Sequence, residues 1–308
     1  MFRRLKLTYI IYNFFNRKKL LHNVRVYKQL GLKKSYYAPV SSVTFKDLDD
    51  QKIPSAPDAQ SLAASTLYNS LDDVSKQSLL DFTTQGYAVI RNYLTPGKVE
   101  AVNIEIEKLL SEKAVAFTNS NKIMFAFHQS VVLKNLGEDK CLLEVLSSLV
   151  QGKVKLFQTI NFLMGSEQHT HSDSIHMTTY PLGGLLGVWI ALEDIDIDNG
   201  PLHYYPGSHL LPYYLNEDYH NAGNFFFLGG KGYAAYEKMI EEKIQEFNLQ
   251  KTVFTAKKGD VLIWHSNLFH GGEQHSNKNK TRKSMVLHYF ADNRVCYHEI
   301  SQRPALMD

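Results

Sequence analysis

Two histidine-rich stretches contain the residues whose types and spacing could do chemistry. In the first stretch, His171 and Asp173 lie two residues apart, so in an extended strand both side chains point to the same face. An imidazole and a carboxylate on one face can share a metal ion. Two histidines and one carboxylate, with coordination positions left open, form the facial triad of non-haem Fe(II) oxygenases. A second histidine, remote in sequence, must complete such a triad.

The second stretch, residues 258–272, offers His265 and His270 as the completing histidine. The first stretch also contains competing ligands, because His169 and His176 flank the His-x-Asp pair. A histidine pair that includes His169 could hold Zn²⁺ instead of iron. The residues alone therefore predict a metal site and leave its ligand set open.

The elements around these stretches predict a mainly β domain. Short apolar stretches separated by Gly and Pro turns are typical of strands in a sandwich or barrel, and residues 185–192 are apolar enough for a fully buried strand. The expected strands are 86–91, 155–164, 185–192, 202–205, 250–254, 261–264 and 284–290. The expected helices are 75–82, 96–113, 142–150 and 233–247, the second with Thr95 as N-cap and Pro96 at its first position.

Composition limits the class of protein. The chain has 308 residues, 44% hydrophobic and 21% charged, which is typical of a soluble globular protein with one large barrel or two domains. Its two cysteines, Cys141 and Cys296, lie far apart and without metal-ligand spacing. We expect packing thiols in a reducing compartment rather than a disulfide, and hence a cytoplasmic protein.

Charge is distributed unevenly along the chain. Residues 1–46 contain eleven Lys or Arg and no acid, whereas the rest of the chain contains 23 basic and 31 acidic residues. A basic arm on an acidic body argues against nucleic acid as the partner of the body. We divide the chain into a basic N-terminal arm (1–46), a polar linker (47–74, with Pro54 and Pro57) and a domain (75–308).

The arm allows several interpretations. Its apolar stretch of about nine residues is too short to span a bilayer, and it lacks the cleavage site of a signal peptide. It could lie on anionic lipid as an amphipathic helix, which would make the protein membrane-peripheral. It could instead pack on the body by its aromatic side. A matrix-targeting peptide is a third option, since the arm is basic and acid-free, although not rich in Ser.

Several blocks in sequence order resemble the phytanoyl-CoA dioxygenase family of Fe(II)/2-oxoglutarate oxygenases. The resemblance covers roughly residues 75–292 and implies a double-stranded β-helix, a cupin-like jelly roll with flanking helices. In that family the last ligand is the histidine followed by Gly, which selects His270. The blocks are His171-x-Asp173 with His176, Trp189, Asn199-Gly200-Pro201-Leu202, Pro206-Gly207-Ser208-His209, and Gly259-Asp260 through Trp264-His265 to His270-Gly271.

The resemblance also implies residues that bind 2-oxoglutarate. Arg282 lies twelve residues after His270, about where relatives place the arginine whose two-pronged guanidinium holds the distal carboxylate. Ser284 lies on the same strand face and could donate to that carboxylate. Asn161 and Trp189 match family residues near the co-substrate. Lys280 and Lys283 are competing cations for the anchor.

The implied cofactors are Fe(II), 2-oxoglutarate and O2. The implied reaction hydroxylates an unactivated C–H of a small-molecule or lipid-like substrate and releases succinate and CO2. Asp173 argues against a halogenase, and Gly272 stands where relatives often carry Ser. The aromatic insertion at 212–246 is expected to act as a lid or substrate loop. The alternatives are a non-catalytic jelly-roll protein that binds metal or ligand, and a tether driven by the arm; the oligomeric state is left open.

Overall fold

A computed structural model describes residues 4–48, 57–118 and 121–307. The helices in these ranges are α1 (Lys6–Phe15), α2 (Arg17–Gln29), α3 (Ala59–Ala64), α4 (Thr66–Ser70), α5 (Asp73–Leu80), α6 (Phe82–Gln85), α7 (Pro96–Ser111), α8 (Val131–Gly137), α9 (Lys140–Val150) and α10 (Tyr233–Glu246). The strands are β1 (Tyr87–Ile90), β2 (Phe117–Thr118), β3 (Lys122–Met124), β4 (Val154–Phe162), β5 (Thr178–Tyr180), β6 (Leu185–Ala191), β7 (Leu202–Tyr204), β8 (Thr252–Phe254), β9 (Val261–His265), β10 (His270–Gly272), β11 (Ser284–Ala291), β12 (Val295–His298) and β13 (Arg303–Pro304).

An antiparallel seven-stranded sheet, in the order β1-β9-β6-β11-β4-β3-β2, forms the main wall of the domain. Its central strands β6 and β11 are buried along their whole length, because side chains on both faces are covered. The even-numbered β6 residues Leu186, Val188 and Ile190 pack with helices α7 and α9 on the outer face. The odd-numbered residues, such as Trp189, point into the interior of the domain.

Two three-stranded sheets, β10-β7-β8 and β13-β12-β5, complete the β structure. The interior core joins Trp189, Leu262 and Val286 of the large sheet to Leu202 and Phe254 of β7 and β8. Two packed antiparallel sheets around such a core are a jelly roll. The predicted double-stranded β-helix with flanking helices is confirmed. For each strand that the sequence predicted, the observed first and last residues lie within two residues of the expected ones.

The predicted linker contains two helices that the sequence did not predict. Asp58 and Ser65 cap α3 and α4 by accepting from the backbone N–H groups of Ser61 and Tyr68. Leu62 is fully buried, and both helices contact α9. Residues 57–74 are therefore packed on the body. Residues 49–56, including Pro54, lie outside the described residues, and the domain boundaries stay a prediction.

The arm forms α1 and α2, and the two helices behave differently. Leu20, Val26 and Tyr27 of α2 are buried. The Asn23 amide donates to the Cys296 carbonyl oxygen at 3.2 Å and accepts from the Cys296 N–H at 3.0 Å, so it pairs with β12 as a neighbouring strand would. The aromatic side chains of α1 stay largely exposed. The arm thus packs on the body mainly through α2, while α1 contacts it through Asn13 and through Tyr9, whose ring lies 5.1 Å from the Arg303 guanidinium.

Two further expectations can be compared with the described residues. Both cysteines are free thiols, Cys296 buried and Cys141 half-buried. Among the described helices, none has the length and apolar composition needed to cross a bilayer.

We expect Asn23→Ala to lower the free energy of unfolding by about 1–3 kcal/mol, because it leaves the buried Cys296 N–H of β12 without its partner. The Cys296 carbonyl oxygen still accepts from the Ala305 N–H at 2.9 Å. Urea denaturation monitored by circular dichroism measures the change. Asn279→Ala, at an exposed loop position, is the control and should stay within about 0.5 kcal/mol of the wild type. Equal stability of both variants would show that Asn23 does not anchor the arm.

Candidate metal centre and co-substrate pocket

His171 and His270 are brought together by their backbones. The His171 N–H donates to the His270 carbonyl oxygen at 2.9 Å, and the His270 N–H donates back to His171 at 2.9 Å. Two residues that exchange both bonds are directly opposed, so their side chains lie on the same face. The two imidazole centroids are 4.6 Å apart. A local antiparallel bridge thus joins the two histidine-rich stretches that the sequence separates by about a hundred residues.

Both imidazoles present the same nitrogen to the site. Nδ1 of His171 lies 2.9 Å from the His169 carbonyl oxygen, and Nδ1 of His270 lies 2.9 Å from the Leu268 carbonyl oxygen. A carbonyl only accepts, so each Nδ1 carries the proton and donates. In the neutral ring each Nε2 therefore carries the lone pair, which is the tautomer that a metal ligand requires.

Asp173 supplies the third donor. Its Oδ1 lies 3.9 Å from Nε2 of His171 and 3.7 Å from Nε2 of His270, and the three residues form the one cluster with metal-binding geometry among the described residues. The other oxygen, Oδ2, accepts from the Trp264 indole N–H at 2.7 Å. Trp264 therefore orients the carboxylate so that Oδ1 faces the histidines. Gly187 makes this possible, because a Cβ there would lie 2.2 Å from the indole.

Burial and nearby charges favour the protonation states of Asp173 and His171 that bind a metal ion. Burial raises the Asp173 pKa, but the imidazoles of His270, His288 and His171 outweigh it, and the net effect holds that pKa well below its usual range. Burial, assisted by His270, lowers the pKa of His171 well below its usual value. Asp173 is therefore a carboxylate and His171 a neutral imidazole at neutral pH. Two neutral imidazoles and one carboxylate suit Fe(II).

The competing histidines lie outside this cluster. His265 packs beside His209, with 5.4 Å between the centroids, and its Nδ1 accepts from the Asn267 N–H. His176 bonds to the Tyr233 hydroxyl at 3.0 Å. His169 contributes its backbone carbonyl, and its side chain lines a separate surface cavity. The structure thus brings together the ligand set His171, Asp173 and His270.

Arg282 is almost fully buried in the same pocket without a carboxylate to pair with. Its Nε donates to the Gly200 carbonyl oxygen at 3.0 Å, and Nη1 donates to the Ser284 hydroxyl at 3.0 Å. Its Nη2 has no hydrogen-bond partner among the described residues. Burial lowers the pKa of Arg282 to about 10, so the group is still a cation at neutral pH. A buried cation with an unused donor fits an anionic ligand.

The walls around Arg282 fix its position. The guanidinium lies 5.5 Å from the Trp189 ring centroid and 5.8 Å from that of Phe162, within cation–π range. The Trp189 indole N–H is likewise without a partner in the described part of the chain. Gly200 adopts φ +72°, so the turn that the sequence predicts at Asn199-Gly200 also directs a carbonyl at Arg282.

The competing cations point elsewhere. Lys280 forms ion pairs with Asp196 and Asp198, and Lys283 pairs with Glu107 at 2.8 Å. All of these groups are at least partly exposed. Of the three basic residues considered as anchor, the structure places Arg282 in the pocket.

Asn161 does not join the site, and this assignment needs correction. Its register partners are Met285 on β11 and Ile123 on β3, which both belong to the core under the helices. Directly opposed residues share a face, so Asn161 points away from the pocket. The family resemblance that suggested Asn161 identified the right strand, β4, but the wrong face of it. Ile160 and Phe162, its neighbours, line the pocket.

Gly272, where relatives often carry Ser, has no room for a side chain. A Cβ there would lie 2.6 Å from the Ser166 hydroxyl and 3.1 Å from the Glu167 backbone nitrogen. Ser166 also lines the pocket. A hydroxyl from a different segment therefore fills the space beside residue 272.

Three pocket residues were missed by sequence reasoning. Lys122 of β3 donates to the Gln168 side-chain oxygen at 3.1 Å, and the Gln168 amide lies 3.1 Å from Nε2 of His171. His288 lies 3.4 Å from Oδ2 of Asp173. His288 follows Arg282 and Ser284 at even spacing on β11, so strand periodicity could have found it. Lys122 has no comparable sequence signal, because the pairing of β3 with β4 brings it in. Gln168 lies only three residues before His171, but its residue type alone does not mark it as part of the pocket.

The aromatic insertion supports the metal ligands from behind. The Tyr236 hydroxyl accepts from the Ser172 N–H at 3.2 Å, and the Tyr233 hydroxyl bonds to His176. Tyr236 and Ile240 of α10 are fully buried against Ile175 and Phe269. The helix predicted within the insertion is present, and it braces the His-x-Asp segment.

Three variants should lower metal affinity to different degrees. We expect His270→Ala to weaken Fe(II) or Co(II) binding by more than the roughly 10–100-fold that the loss of an outer-sphere partner costs. Trp264→Phe removes the hydrogen bond to Asp173, and its loss of metal affinity should fall within that roughly 10–100-fold range. His265→Ala should retain near-normal affinity in the folded protein. Equilibrium dialysis measures all three, and normal affinity of His270→Ala would refute the ligand set.

Comparison with known proteins agrees with this geometry. Residues 82–284 match the model of the Phytanoyl-CoA dioxygenase (PhyH) family. A Phytanoyl-CoA dioxygenase domain-containing protein 1 homolog from Dictyostelium discoideum is 28% identical over 250 residues, covering 75% of this chain and 82% of the relative. The corresponding protein from Danio rerio is 25% identical over 194 residues, covering 45% of this chain and 67% of the relative.

Solved structures share the fold at low sequence identity. The non-haem α-ketoglutarate-dependent carbocyclase SnoK from nogalamycin biosynthesis superposes with a TM-score of 0.60 at 18% identity, over 76% of this chain and 88% of that chain. EctD from S. alaskensis, solved with 2-oxoglutarate and 5-hydroxyectoine, gives 0.56 at 19% identity, over 79% and 85%. With the family model covering most of the domain, the chain belongs to the phytanoyl-CoA dioxygenase family.

Proposed function

We propose that this protein is an Fe(II)- and 2-oxoglutarate-dependent dioxygenase that hydroxylates a C–H bond of a small, amphiphilic or lipid-like molecule. The observation that carries this proposal is the buried, incompletely paired Arg282 in the same pocket as the His171, Asp173 and His270 triad. A metal site with three protein donors leaves positions for a chelating co-substrate and O2.

His171, Asp173 and His270 would hold the iron. When bound there, the iron with 2-oxoglutarate and O2 supplies the oxidising chemistry, and 2-oxoglutarate leaves as succinate and CO2. The protein orients the groups and excludes water. Phe162, Val286 and Leu202 form the apolar walls of the pocket, which strengthen electrostatic interactions inside it.

Arg282 and Trp189 would hold the distal carboxylate of 2-oxoglutarate with their two unused donors. The enclosed space between them and the triad measures about 60 Å³, room for roughly two water molecules. Lys122 and Gln168 close one side of it through their hydrogen bond. Entry of a dicarboxylate therefore requires these two flexible side chains to turn aside. Lys122 then offers a second cation to the ligand.

A second cavity, of about 440 Å³, fits the substrate. This volume is typical of small-molecule sites. Gln158 lines it and is the register partner of His288, which borders the triad. His298 lines it too and is hydrogen-bonded to the backbone of His176. Neither this cavity nor the larger groove of about 930 Å³ between α3 and α9 is lined by a triad residue. The smaller cavity is favoured because Gln158 pairs with His288, which lies 3.4 Å from Asp173.

The lining of this cavity indicates the substrate class. Tyr12, Phe125 and Phe157 offer aromatic surface, whereas Arg303 and Lys19 offer positive charge. We infer a substrate with an apolar part and a polar or anionic part. The 5-hydroxyectoine in the EctD structure supports hydroxylation. The structural neighbours also include a carbocyclase and the epimerase SnoN. Ring closure and epimerisation are therefore the other reactions for which products should be tested.

We expect Arg282→Met to weaken 2-oxoglutarate binding roughly ten- to a hundredfold, because the charge-assisted hydrogen bond from Nη2 contributes roughly 1.5–3 kcal/mol and about 1.4 kcal/mol corresponds to a factor of ten. Metal affinity should stay nearly unchanged. Lys283→Met is the matched control, since its side chain pairs with Glu107 at the surface. Calorimetric titration of the metal-loaded protein measures both. Equal losses of 2-oxoglutarate affinity in the two variants would show that Arg282 is not the residue that holds the distal carboxylate.

Succinate release separates an oxygenase from a non-catalytic binding protein. The wild type with Fe(II), 2-oxoglutarate and O2 should release succinate, faster when a substrate is present, and Asp173→Ala should release none. With ¹⁸O2, a hydroxylated product should gain one labelled oxygen. Tight binding of metal and 2-oxoglutarate without succinate, across amphiphilic and non-amphiphilic candidate substrates, would favour the binding protein.

A further inference from the structure

We propose that α1 and the loop around Phe225 and Phe226 form a docking surface for anionic lipid bilayers. This surface, called the arm surface below, consists of Leu7, Ile11, Phe14, Phe15, Phe225 and Phe226. The inference goes beyond the proposed reaction, because it assigns a partner to a part of the chain that the metal site does not use.

The outer face of α1 carries an uncovered apolar stripe. Leu7, Ile11, Phe14 and Phe15 follow the spacing i, i+4, i+7 and i+8, which places them on one side of a helix. Their exposed fractions are 54, 51, 55 and 80%. A continuous apolar stripe of this kind on a water-soluble surface indicates an interaction site.

The insertion adds two more aromatics beside the start of α1. The Lys6 N–H donates to the Phe226 carbonyl oxygen at 2.9 Å, and Leu5 forms a β-bridge with Phe227. The Arg4 guanidinium donates to the Leu228 carbonyl oxygen at 3.1 Å. Phe225 and Phe226 are 85 and 64% exposed. Segments more than two hundred residues apart in sequence therefore meet at one apolar surface.

The positive charge near the arm surface favours an anionic partner. The stretch 4–34 contains nine basic residues and no acid. Lys6 is the only basic residue of α1, and the others precede α1 or lie on and after α2. An apolar helix with aromatic side chains that is flanked by basic residues is suited to the boundary between headgroups and acyl chains of an anionic membrane. A second copy of the chain would bring the same positive charge to the contact, which opposes self-association. The nine residues are Arg4, Lys6, Arg17, Lys18, Lys19, Arg25, Lys28, Lys33 and Lys34.

The arm surface adjoins the cavity that we assign to the substrate. Tyr12 and Asn13, also on α1, line that cavity. The amide of Asn13 donates to the Tyr37 carbonyl oxygen, and α2 is fixed on the body through Asn23. α1 is therefore held at the cavity wall while its other side faces outward. Docking of α1 on lipid places the cavity next to the bilayer.

Vesicle co-sedimentation of the full chain tests the proposal. The wild type should pellet with phosphatidylcholine vesicles that contain phosphatidylserine, should pellet much less with phosphatidylcholine alone, and should be released as salt screens the basic groups. The double variants Phe14→Ser/Phe15→Ser and Phe225→Ser/Phe226→Ser should each weaken binding roughly tenfold or more. Arg17→Glu/Lys18→Glu should abolish the preference for anionic vesicles.

The matched control is Val74→Ser/Ile104→Ser, which removes two apolar side chains that are 76 and 56% exposed on α5 and α7 and should bind as the wild type does. Melting temperatures and Fe(II) affinity, measured on every variant, confirm that each is folded. Three results would overturn the proposal: no pelleting of the wild type, equal pelleting with neutral and anionic vesicles, or pelleting that the two Phe variants leave unchanged. A dimer in solution that Phe14→Ser/Phe15→Ser dissociates would assign the surface to a second copy instead.

Discussion

The metal site depends on the pair of backbone hydrogen bonds between His171 and His270. These bonds fix the two ligand-bearing segments at the spacing of neighbouring strands, so the imidazoles meet without any long side chain having to reach across. The Nδ1 contacts to His169 and Leu268 then set the tautomer and the ring direction. Because backbone groups make these contacts, the geometry is set by the sheet and not by rotamer choice.

The support around Asp173 shows how the large sheet contributes to the chemistry. Trp264 on β9 reaches the carboxylate only because β6 presents Gly187 beneath its indole. On the adjacent strand β11, even-numbered positions carry Ser284, Val286 and His288 toward the interior. The odd-numbered positions bind the helices. One buried sheet therefore serves as core on one face and as the floor of the site on the other.

Arg282 imposes a second constraint. A buried guanidinium costs free energy unless its donors are used. In this protein Gly200 and Ser284 use part of the group, two aromatic rings cover its faces, and Nη2 is left over for a ligand. The arm and the insertion each support the body: Asn23 of α2 pairs with the backbone of Cys296 on β12, and α10 packs behind the His-x-Asp segment. Segments outside the jelly roll thus stabilise the segments that carry the site.

The sequence and its resemblance to the family predicted the fold class, the triad and the presence of Arg282 in the pocket, because strand periodicity, His-x-Asp spacing and ordered motif blocks are local signals. The sequence could not decide which face of β4 enters the pocket, since a shift of one residue exchanges the faces; Asn161 therefore points away while Phe162 points in. Lys122 was equally out of reach, because only the pairing of β3 with β4 brings it to the pocket. Gln168 and Ser166 lie close to His171 in sequence, but nothing in their residue types indicates that they line the pocket. The role of the N-terminal arm also depends on tertiary contacts that the sequence does not reveal. Its composition fits both packing and lipid contact, and only the tertiary structure shows that one side of α2 is buried on the body while Leu7, Ile11, Phe14 and Phe15 of α1 are exposed.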